Sequence, residues 1–119
     1  MTRKHAIVDA EPHLIVSHGS DFFGQDRHSL KSLVSLAPYA SSAFSWNDQK
    51  AVAPLVQALE TPTARTIPAS EAAVFSEQLL KVARGRHMKP AVSALARALA
   101  DAAGRAADAG EPWEWQSES

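Results

Sequence analysis

The stretch Ser17-His18-Gly19-Ser20-Asp21-Phe22-Phe23-Gly24-Gln25-Asp26-Arg27-His28 decides how the chain is read, because turn-forming residues, two adjacent aromatics and most of the unusual polar chemistry fall together in it. Before it, Leu14-Ile15-Val16 is a compact apolar run bounded by His13 and by Ser17-His18-Gly19-Ser20, the pattern of a short buried strand. After Gly24, Leu30, Leu33, Val34 and Ala37 recur at helical spacing, with Asp26 placed to cap the first turn and Pro38 to stop the last. The stretch therefore reads as a loop joining a strand to a helix. Loops presented by a rigid scaffold carry function disproportionately.

Upstream, residues 1–12 alternate without clear period and close on Pro12, which predicts a flexible arm with a short extended piece at Ala6 to Val8. Downstream, Ser45 and Asp48 stand at capping distance ahead of Val52, Leu55, Val56 and Leu59, a second helix to about Glu60 that either kinks at Pro54 or starts there. Arg65 to Pro68 predicts a brief extended segment. Ser70 is placed to cap a third helix over Glu71 to Arg84, with Gly85 as its left-handed stop. A fourth runs from Pro90 to Gly110, its alanine face suited to close approach of another helix or of a second copy of the chain. The alternation Trp113-Glu114-Trp115 is a strand signal and pairs most simply with Leu14 to Ser17. The fold class expected is α+β, mainly helical, with about four helices over a small two- or three-stranded sheet. Residues 13–116 form one domain in this reading, and 117–119 a disordered tail.

A chain of 119 residues with 45% hydrophobic and 21% charged side chains can build its own core. Its net charge of −1 supplies no global field for nucleic acid or an anionic membrane, so any such contact needs a local patch. With no cysteine, disulfides, thiolate metal sites and a cysteine nucleophile are excluded. Asp9, Glu11 and Pro12 interrupt the start before a signal-like apolar region can form. No run approaches the ~18 apolar residues of a membrane span. The compartment expected is the cytoplasm.

His18, Asp21, Asp26 and His28 are metal-ligand types, but the two histidines are ten positions apart and match no zinc spacing, so no metal or cofactor is expected. Gly19 and Gly24 allow sharp turns, and Arg27 and His28 near a helix N-terminus offer anion contacts, yet neither a phosphate loop nor a dinucleotide fingerprint is present. No spacing pairs a general acid with a base, and His18-Gly19-Ser20-Asp21 is not a nucleophile elbow. One of Phe22 and Phe23 is expected to anchor the loop in the core, leaving the other as a second anchor or an exposed contact. Trp46, Trp113 and Trp115 are expected on the sheet side of the core, with an aromatic partner surface as the alternative.

Lys81, Arg84, Arg86, His87 and Lys89 form a basic cluster where the third helix meets the fourth. A helix-turn-helix reading fails on chemistry, since Pro90-Ala91-Val92-Ser93-Ala94 offers no side chain for bidentate base contacts before Arg97. A generic anionic contact through Lys81, Arg84, Arg86 and Lys89 stays open, beside the simpler role of cations at a helix C-terminus.

The run from Ser17 to Ser29, followed by helices and a tryptophan-containing end, resembles small uncharacterised actinobacterial proteins grouped as a domain of unknown function. The resemblance covers most of the chain and implies no activity. The function expected is a small non-enzymatic cytoplasmic protein-binding accessory or regulatory module. Its interface is drawn from His18, Gly19, Asp21, Phe22, Phe23, Arg27 and His28. The alternatives are a nucleic-acid-associated regulator using the 81–89 junction and a small ligand-binding protein or enzyme at the His18 loop.

Overall fold

Trp113 and Trp115 are buried in the last strand, so the C-terminal end of the chain belongs to the heart of the sheet. The computed structural model describes residues 12–118. Its strands are β1 (His13–Ser17), β2 (Gln25–Ser29), β3 (Arg65–Ile67) and β4 (Trp113–Glu118). Its α-helices are α1 (Leu30–Ser42), α2 (Gln49–Glu60), α3 (Ala69–Ala83) and α4 (Pro90–Ala109). The strands form one sheet in the order β2-β1-β4-β3, every pairing antiparallel. The described residues form an α+β fold with four α-helices, as expected, but the sheet has four strands rather than two or three.

The additional strand is β2. Its sequence, Gln25-Asp26-Arg27-His28-Ser29, has no aliphatic residue, so nothing in it carries the apolar alternation by which strands are recognised. It pairs because β1 offers a full register, Ser17 opposite Gln25 through His13 opposite Ser29. His13–Ser29 is thus a β-hairpin, and the stretch from Ser17 is not a strand-to-helix loop. Asp26 is consequently no helix cap. Ser29 caps α1 instead, its Oγ accepting the Ser32 amide at 3.1 Å.

Pairing across the sheet sorts side chains by period two. Leu14, Val16, Ile67, Trp113 and Trp115 face the helices and are buried, and the two indoles meet edge to face at 5.4 Å. The opposite face is polar: Thr66 donates to Glu114 at 2.7 Å, and Arg27 on β2 reaches over β1 to Glu118 on β4. Ser117 and Glu118, assigned by sequence to a disordered tail, are paired with Leu14 and His13. Residues 1–11, including the extended piece expected at Ala6 to Val8, and Ser119 lie outside the described residues.

α3 and α4 form the principal helix pair, and the alanine face of α4 is used within the chain: Ala96, Ala100, Ala103 and Ala106 are all buried. The close approach is explicit at Gly104, where an added Cβ would lie 3.1 Å from Ser76 Oγ. The same hydroxyl donates to the Ala100 carbonyl at 2.8 Å. Proline does not end α1 at Pro38, nor start α2 at Pro54. Each ring sits on an exposed face, where the helical carbonyl it leaves unbonded can be hydrated. α3 begins at Ala69 with Pro68 at its N-cap rather than Ser70, and Gly85 is not left-handed; Gly110, at φ 70°, is the left-handed cap, closing α4. No helix of the described residues is long and apolar enough to cross a membrane.

Candidate functional site at the hairpin tip

Seven residues, His18 to Gly24, connect β1 to β2, and local chemistry closes them into a defined turn. His18 takes a left-handed conformation at φ 59°, which a histidine tolerates better than a branched residue would. Two groups hold it there. Arg105 Nε on α4 donates to its carbonyl at 2.7 Å, and its imidazole Nε2 lies 3.1 Å from Glu111 Oε1. Gly19 then passes against β2 so closely that a Cβ would fall 2.2 Å from Asp26 N and from Gln25 C. Only glycine fits this crossing.

The carboxylates complete the closure. Asp21 Oδ1 accepts from the amides of Phe23 and Gln25, each at 2.8 Å, while Gly24 N donates to Asp21 O at 3.0 Å. Asp26 Oδ1 accepts from Ser20 N at 2.9 Å and Ser20 Oγ at 3.2 Å. Below the loop, Ser17 Oγ accepts the Glu114 amide at 2.8 Å and Ser17 O accepts Trp113 Nε1 at 3.0 Å, tying the stem to β4.

At the top of this braced turn stand Phe22 and Phe23, 93% and 78% exposed, with rings 5.2 Å apart and nearly perpendicular. Neither anchors the loop in the core, contrary to the expectation for at least one of them. The reason is geometric: the turn from Asp21 to Gly24 projects both rings past the end of the sheet, and backbone hydrogen bonds do the anchoring. Burying one such ring is worth about 2 to 3 kcal/mol. Trp46 is likewise exposed, at 89%, and separates from Trp113 and Trp115.

The site residues named from sequence therefore divide. His18, Gly19 and Asp21 shape the turn, Phe22 and Phe23 are its free surface, and Arg27 belongs to the open face of the sheet. His28 is drawn away from the tip. It lies opposite Leu14, half-buried beneath the sheet, with no hydrogen-bond partner for its buried Nε2. Burial holds its pKa below the ordinary value of 6.5, opposed more weakly by the Asp26 charge. Among the described residues no group of three His, Cys, Asp or Glu side chains could hold a metal ion. Chemically, the tip can offer apolar, aromatic contact. Its carboxylates are engaged by its own backbone.

Sequence reasoning missed Arg105 and Glu111, which hold the loop from α4 and its C-terminal turn. Residues 87 and 93 positions away along the chain leave no local signal. The basic cluster lies elsewhere: it surrounds the α3–α4 turn beside Pro90, whereas the hairpin meets α4 near Arg105. The two surfaces are thus at opposite ends of a helix of 20 residues, about 30 Å long.

A four-stranded antiparallel sheet covered on one face by helices, with a braced aromatic hairpin at one end, defines a small α+β domain. The family model described as Domain of unknown function (DUF7739) matches residues 19–116, and the chain belongs to that family. Neither a curated protein nor a solved structure matches the chain.

Proposed function

We propose that the chain is a small cytoplasmic protein-binding module, accessory or regulatory in role, and that it engages its partner through Phe22 and Phe23. The observation that carries this reading is the exposure of both rings on a turn that is already closed without them. A loop stabilised by its backbone gains nothing from leaving two aromatics in water. Preorganised aromatics, by contrast, are the side chains that dominate binding energy at protein interfaces, since little entropy is lost when they dock. Asp21 and Asp26 beside the tip disfavour an anionic bilayer as the target. The lack of cysteine is compatible with a reducing compartment.

The experiment is affinity capture from native lysate with wild type and with the double variant Phe22→Ser/Phe23→Ser, both verified as folded by circular dichroism. A protein retained by wild type and lost with the variant supports the reading. Identical retention by both, or none by either, removes it.

A further inference from the structure

Tyr39, Ala43 and Met88 are half-buried against the core and floor a groove of about 780 Å³ at the other end of α4. Its rim is exposed and carries the cations Lys81, Arg84 and Arg86, with His87 beside them. Neither of the two ion pairs among the described residues involves this rim. Lys81 is held by the face of the Phe44 ring at 4.8 Å, so that its charge stays at the groove.

The helix dipole does not account for all of this charge. Lys81 lies in the last turn of α3 and Arg84 is its C-cap, where cations are favoured. Arg86 and Lys89 instead crowd the N-terminus of α4, the end at which a positive charge is unfavourable. They raise a local positive potential that no carboxylate of the rim but Glu77 offsets.

From these observations we infer that the groove is a second docking surface, for a peptide segment of another protein that combines acidic side chains with large apolar ones. The apolar side chains cover Tyr39, Ala43 and Met88, and the carboxylates face Arg84 and Arg86. Charge complementarity selects the acidic character, and the apolar floor selects a peptide over nucleic acid. A phosphate backbone gains little from methionine and alanine, and the lining has one tyrosine and no stacking series. This surface is independent of the Phe22–Phe23 tip.

The test is selection from a displayed random-peptide library on the whole chain, followed by affinity measurement of the enriched peptides. The expected peptides are rich in Asp and Glu with one or two Leu, Phe or Trp. Their affinity falls roughly tenfold with Arg84→Glu/Arg86→Glu, and falls again as salt rises. Those two side chains are exposed, so the variant folds; Met88→Ala, checked by thermal melting, weakens the same peptides through the floor. Amide resonances of residues 39–44 and 81–88 shift on binding. Enrichment without acidic bias, equal binding by the charge-reversed variant, or displacement of the peptides by single-stranded DNA at equal concentration overturns the inference.

Discussion

Arg105 Nε donates to the carbonyl of His18 at 2.7 Å, joining the left-handed first residue of the hairpin loop to the far end of the longest helix. The loop's shape is thus a tertiary property as well as a local one. Replacing Arg105 by Met keeps the aliphatic stem and removes the donor. Amide exchange at Ser20 to Gly24 is expected to accelerate, with a loss of about 1 kcal/mol in overall stability. Unchanged exchange across the loop would mean that α4 does not brace it.

Gly19 is a harder constraint. A methyl group there overlaps the β2 backbone at Asp26 N, a contact that no side-chain rotation relieves. Gly19→Ala is expected to destabilise the domain by about 2 to 3 kcal/mol, read by chemical denaturation. Gly24→Ala tests the neighbouring case: its added Cβ meets nothing, and only the strain of φ 72° remains, about 1 kcal/mol.

His28 gives a pH dependence with a definite sign. Because burial lowers its pKa, the folded state resists protonation while the unfolded chain takes up a proton at the ordinary value of 6.5. Above that value the group contributes nothing. As pH falls through it toward the folded pKa, stability is lost. The melting temperature of wild type should therefore drop more than that of His28→Val between pH of about 7.5 and about 5.5. Parallel curves for the two proteins contradict the assignment.

The three tryptophans separate by environment. Trp113→Ala removes a fully buried indole that also donates to Ser17 O, and should cost about 3 to 5 kcal/mol. Trp46→Ala, at an exposed position, should change stability by less than about 0.5 kcal/mol. Thermal denaturation of both variants checks the contrast.

These residues also show how far the sequence could be read. Trp113 and Trp115, Leu14 to Val16 and the apolar stripe of α3 were legible because burial imposes a period on side-chain type. β2 was not, since an edge strand of polar residues is fixed by hydrogen bonds to its neighbour and not by its own pattern. The misreading of Asp26 and His28 followed from it: residues placed at a helix start belong to a strand, and the cap moves to Ser29. Trp46, Phe22 and Phe23 failed differently. Aromatic residues are usually inside, so composition points inward, and only the geometry of the Asp21 to Gly24 turn reveals that both phenylalanines face water.

The most direct test of the central claim is quantitative capture by wild type and by Phe22→Ser/Phe23→Ser, made alongside their unfolding curves. With the exposed rings as the interface, the two stabilities agree within about 0.5 kcal/mol and the bound protein is lost from the variant alone. A variant that unfolds early would return the rings to a structural role, and one that still captures the same protein would show that the interface lies elsewhere.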